Sequence, residues 1–127
     1  MKKVLALTFI FIVASQIFLF FIYHRGGDKG IYMVAEIEIL DEELYRRYTE
    51  KVYPLVVKYG GRYLVRGGEA YTISGGWQPE RIIIIEFSSM EALKECFGSS
   101  EYKAIASLRE ESTRSKAIAV EGIGNGL

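Results

Sequence analysis

The chain has 127 residues, half of them hydrophobic, and its sixteen Lys plus Arg balance sixteen Asp plus Glu. That length leaves room for one domain of about a hundred residues once a distinct N-terminal stretch is set aside. The basic residues are scattered, so the electrostatic footprint of a nucleic-acid binder is missing. A single cysteine, Cys96, and a single histidine, His24, exclude an intrachain disulfide, a CxxC redox or zinc site and a Ser-His triad.

After Met1-Lys2-Lys3, residues 4–23 carry no formal charge. At 1.5 Å per residue, such a helix spans about the 30 Å hydrocarbon thickness of a bilayer. Val13-Ala14-Ser15 offers a signal-peptidase site, but cleavage there would leave Ile17-Phe18-Leu19-Phe20-Phe21-Ile22 at the new terminus, which favours an uncleaved signal anchor. The weak excess of positive charge before the span points to an N-in orientation with an extracytoplasmic domain; secretion after cleavage is the alternative. His24 falls at the membrane boundary and is assigned no chemical role. Residues 26–30 read as a tether, so the expected divisions are 1–30 for anchor plus tether, 31–122 for the domain and 123–127 for a loose tail.

Residues 31–39 alternate, with Ile31, Met33, Ala35, Ile37 and Ile39 on one face, and predict a strand. Asp41 caps a helix in which Leu44, Tyr48, Val52, Leu55, Val56 and Tyr59 recur at helical spacing. Pro54 is expected to kink or divide that helix, and Gly60-Gly61 to end it. A strand over 62–65 follows, bends at Gly67-Gly68 and is expected to resume through 69–73. A turn-rich loop carries Trp77 and Pro79. Residues 81–87, with four consecutive isoleucines, predict a strand covered on both faces. Ser88 with Glu91 forms a capping box for a second helix bearing Ala92, Leu93, Cys96 and Phe97. Gly98 interrupts it, Ser99 or Ser100 caps a continuation, and 116–121 supplies a last strand. The order βαββαβ makes an α+β domain, a four-stranded antiparallel sheet with two helices on one face. Its other face is bare, and a second copy of the sheet is the simplest cover, so a homodimer is expected.

Lys58-Tyr59-Gly60-Gly61-Arg62-Tyr63-Leu64-Val65-Arg66-Gly67-Gly68, Trp77 with Pro79-Glu80-Arg81, Ile85-Glu86-Phe87 and Ser99-Ser100-Glu101-Tyr102 together resemble domain-of-unknown-function family 1330. This is a branch of the dimeric α/β-barrel superfamily. The resemblance covers 31–122 and implies a ferredoxin-like protomer and a dimer whose sheets face each other around a cavity. It carries no established activity. The superfamily's histidine-ligated haem members are poor guides, because no histidine lies in the domain. Neither a cofactor nor a metal is expected, and the hydrophobic N-terminal helix departs from the family's usual free-standing domain.

Strand parity aims Tyr32, Glu36, Arg62, Arg66 and Glu86 at the expected dimer cavity. One reading makes them Glu-Arg pairs that fix dimer register. The sharper one is a pocket in which Arg62 or Arg66 receives a carboxylate or enolate oxygen while Glu36 or Glu86 moves a proton, with Trp77 and Tyr63 as aromatic walls. Two functions follow. The first is a membrane-tethered dimeric domain that binds a small organic ligand or serves as an interaction module. The alternative is a cofactor-independent isomerase or monooxygenase on a small polar aromatic or carboxylate compound.

Overall fold

The computed structural model describes residues 29–124. The expected anchor at 4–23 lies outside them, and among the described residues no helix is long and apolar enough to cross a membrane. Four strands, β1 (Ile31–Ile39), β2 (Arg62–Arg66), β3 (Arg81–Phe87) and β4 (Thr113–Glu121), form one sheet in the order β2-β3-β1-β4. Every neighbouring pair is antiparallel. The helices are α1 (Glu42–Lys58), α2 (Met90–Gly98), α3 (Ser100–Lys103) and α4 (Ala106–Ser112).

The alternation read in β1 survives intact. Ala35 and Ile37 are buried with Ile83, Ile85 and Phe87 of β3 in the core beneath the helices, and Ile31 is buried too. Asp41 caps α1, its Oδ1 accepting from Leu44 N at 2.9 Å, and the helix buries Tyr45, Tyr48, Val52, Leu55 and Val56. Pro54 does not divide α1, which runs unbroken to Lys58. One lost backbone hydrogen bond is outweighed by a buried stripe whose side chains each contribute roughly 1.5–3 kcal/mol.

Four expectations need correction. Residues 69–73 form no strand: Gly67 has φ +74 and leads the chain out of the sheet into a loop that ends at β3. A Cβ on Gly67 would meet only the movable guanidinium of Arg81, so it is the left-handed backbone that calls for glycine there. Ser89, not Ser88, caps α2, its Oγ accepting from Ala92 N at 3.1 Å. Ser99 caps α3 by the same device. β4 begins three residues earlier than expected, at Thr113, because β1 pairs with it along its full length from Ile31↔Glu121 to Ile39↔Thr113.

The last correction matters most for function. The register of β2 on β3 passes from Tyr63↔Ile85 to Val65↔Ile84, so Leu64 is an extra residue in a bulge. A bulge reverses the parity of everything after it. Arg62 shares the open face with Glu86, as alternation predicts, but Arg66 pairs with Ile83 and lies on the helix side.

Candidate functional site

The open face of the sheet carries two charged clusters separated by an apolar band. At one end Arg62 donates from Nε and Nη2 to Glu86 Oε2 at 2.9 and 2.5 Å, and Tyr32 donates its hydroxyl to Glu86 Oε1 at 3.0 Å. These donors hold the Glu86 carboxyl below the usual carboxylate range, Arg62 first and Tyr32 second. Glu86 in turn raises the Tyr32 phenol by accepting its hydrogen bond and by its charge. At the other end Lys116 Nζ lies 2.9 Å from Glu36 Oε2. Lys116 lowers Glu36, burial opposes the shift, and the Trp77 indole adds a smaller contribution in the same direction. Glu36 and Tyr32 are four residues apart along β1, about 13 Å. The two carboxylates therefore do not converge, and each is already ionised and partnered. Val34, Ile84 and Ile118 lie side by side between them, with Ile118 66% exposed.

Of the aromatic walls expected on this face, Trp77 belongs to the Glu36 end and is 57% exposed. Its carbonyl accepts from the Thr72 hydroxyl at 2.5 Å, which closes the loop. Tyr63 faces the opposite way. Its ring meets Tyr53 of α1 edge-on, centroids 5.0 Å apart, and the Arg66 guanidinium stacks 4.2 Å from the Tyr53 centroid. The sequence-derived constellation is thus split by the sheet. Glu36, Glu86, Arg62, Tyr32 and Trp77 stand on one side, with Arg66 and Tyr63 on the other.

That other side holds a cavity of about 390 Å³, within the range of small-molecule sites. Met33, Ala35, Ile37, Ile83 and Ile85 form its floor with Ala117 and Ala119 of β4; Tyr45, Tyr48, Val52 and Tyr53 of α1 cover it. Phe97, Tyr102 and Arg109 close one flank and Tyr63 another. β4 contributes only alanines and a serine besides Ile118 to this lining, and Ser115, Ala117 and Ala119 are exposed, so the space opens to solvent along that edge of the sheet.

The titratable groups here are phenols pushed upward. Burial raises Tyr48, with neighbouring Tyr102 adding to the effect. Burial likewise raises Tyr63 and takes Tyr45 to about 12. At neutral pH all three are hydrogen-bond donors, not bases. Cys96, fully buried, is pushed to about 11, which makes it a packing residue and not a nucleophile. Tyr45, Tyr53, Tyr102 and Arg109 escaped the sequence reading as site residues. The available signal was four tyrosines between residues 45 and 59, more phenols than a helix needs merely to fill a core.

The uncovered sheet, the βαββαβ order and the helix-side cavity define the class as an α+β domain of ferredoxin-like fold. Residues 30–123 match the family described as "Domain of unknown function (DUF1330)", and the chain belongs to that family. No curated protein matches it. Among solved structures it is similar to a protein of unknown function from Rhodopseudomonas palustris (TM-score 0.64, 17% identity, 85% of this chain and 92% of that one covered). It is also similar to an Arabidopsis thaliana protein (0.56, 15%, 81% and 96%). A Bacteroides fragilis protein described as dimeric, with a ferredoxin-like fold and unknown function, is a further likeness (0.50, 12%, 72% and 95%). At these identities the likeness is one of fold.

Proposed function

We propose that this chain is a membrane-tethered homodimeric module that binds a small, largely apolar organic ligand between its helices and its sheet. The observation that carries the reading is the tyrosine-lined cavity, roomy, mostly apolar and furnished with a few convergent hydroxyls. The dimer is supported by the apolar band on the open sheet face and by the dimeric description of the Bacteroides fragilis relative. Tethering is supported by the uncharged run at 4–23, and the charge balance around that run favours an extracytoplasmic domain. Binding is preferred to catalysis because the only carboxylates proposed as bases, Glu36 and Glu86, lie across the sheet from the cavity and are lowered by cationic partners.

The test uses the full chain in lipid nanodiscs with labelled alanine methyl groups. Ala35, Ala117 and Ala119 line the cavity and report occupancy directly. Titration with 2-naphthol is expected to shift those methyl signals to saturation, and Ala117→Phe, which fills the floor, is expected to abolish the response in a folded protein. Shifts spread over the surface, or binding untouched by A117F, would reject the site.

A further inference from the structure

We infer that the ligand of this cavity is an organic acid whose anionic group is received by Arg109; the inference rests on the cavity being the binding site. Arg109 is the one cationic side chain among those lining the cavity. Its Nε is buried and has no hydrogen-bond acceptor among the described residues, and the nearest carboxylate oxygen, Glu110 Oε1, stands 3.7 Å from Nη2 at the exposed edge. A guanidinium N–H removed from water without an acceptor is costly, and the matching acceptor for its planar fork is a carboxylate or a similar oxyanion.

Two further observations place the acid group. Arg109 lines the cavity together with Tyr48 and Tyr102, and its charge acts on the Tyr48 phenol against the effect of burial. There, Tyr48 and Tyr102 oppose their hydroxyls at 3.5 Å, the outer limit of a hydrogen bond, so the pair leaves donor capacity unspent. The backbone beneath Arg109 is fixed, since its carbonyl accepts from the Thr113 hydroxyl at 2.7 Å. The cavity thus offers a cation and two phenols beside alanine, isoleucine and aromatic faces. The complementary molecule is an amphiphile with a single oxyanion on a planar or aliphatic apolar body.

The experiment is the same methyl-resolved titration of the full chain, run with matched pairs: 2-naphthoate against 2-naphthamide, and decanoate against decanamide. Wild type is expected to bind the acid of at least one pair about tenfold to a hundredfold more tightly than its amide. Arg109→Gln is expected to reduce that preference to within about twofold; Arg109→Lys, which keeps charge without the fork, is expected to fall between. Equal affinity for acid and amide in wild type overturns the inference and leaves the cavity reading standing, as does a preference that persists in R109Q. Absence of any cavity response to acid or amide overturns both. Should R109Q fail to fold, the wild-type preference and its reduction in R109K decide the matter.

Discussion

Gly60 and Gly61 sit side by side at the end of α1 and have different physical jobs, which a pair of substitutions separates. Their amides close a Schellman motif, Gly60 N to Val57 O at 3.0 Å and Gly61 N to Val56 O at 2.9 Å. Gly60 holds φ +83 with nothing within 4 Å of a would-be Cβ, so Gly60→Ala costs only the left-handed backbone, about 1–2 kcal/mol. Gly61 has no such backbone demand. A Cβ there would meet Val56 Cγ1 at 2.5 Å and Phe87 Cζ at 2.9 Å, both from fully buried side chains, and overpacking of this kind costs about 1–3 kcal/mol. Val56→Ala removes the nearer obstacle and by itself costs roughly 2–3 kcal/mol through lost burial and a void. The double variant G61A/V56A should therefore be more stable than the sum of its parts by at least about 1 kcal/mol, whereas G60A/V56A should be additive within about 0.5 kcal/mol. Urea unfolding followed by circular dichroism, at one fixed protein concentration because assembly contributes, measures all five variants against wild type. Additivity in G61A/V56A, or coupling in G60A/V56A, would refute this division of labour.

Three further outcomes are expected. The phenols of Tyr45, Tyr48 and Tyr63 are raised in the folded state, chiefly by burial. Their contribution is complete below the unfolded value near 10 and is lost as pH rises through the folded values, so urea midpoints should fall from pH 9 to pH 11 and fall less in Tyr63→Phe; a flat profile in wild type would contradict this. Ile118→Glu, placed in the exposed apolar band, should leave the protomer's stability within about 0.5 kcal/mol of wild type and convert the proposed dimer to monomer by light scattering, and an unchanged mass would exclude that face as the interface. Protease added outside intact cells should digest the domain while the N-terminal residues remain with the membrane; protection of the domain, or a mature terminus at residue 16 or beyond, would overturn the proposed anchoring and sidedness.

Most of the architecture was legible because period-two alternation in β1 and β3 and a helical stripe in α1 each point to the same core. The capping serines were legible to within one residue, since Ser88-Ser89 presents two equivalent hydroxyls and only backbone geometry decides which faces the helix. The site was not legible, and the cause is local. Arg62-Tyr63-Leu64-Val65-Arg66 alternates perfectly on paper, so parity aims both arginines the same way. The bulge at Leu64 inserts half a period that no residue type announces, and the stacking of Arg66 on Tyr53 and Tyr63 is a tertiary preference invisible in a strand of five. The expected strand at 69–73 failed for a related reason. Tyr71 and Ile73 have strand-like composition but no neighbour to pair with once Gly67 turns the chain away, and Ile73 is left 93% exposed.

The bulge also bears on why the proposed assembly and binding surfaces occupy different faces. Had Arg66 followed Arg62, the open face would carry a second arginine with no carboxylate opposite it, since its β3 neighbour would be an isoleucine and Glu86 is already taken by Arg62 and Tyr32. A charge left unpartnered there would oppose burial beneath a second sheet. Turned to the helix side, Arg66 is stabilised by tyrosine faces instead, and it braces Tyr53 and Tyr63 at the cavity wall. What remains on the open face is three ion-paired carboxylates, Glu86 at one end and Glu36 with Glu38 at the other, flanking Val34, Ile84 and Ile118, a surface that can be covered without stranding charge. The same inserted residue that defeats a parity argument thus leaves one face fit for a partner and furnishes the other with the aromatic walls of the proposed binding site.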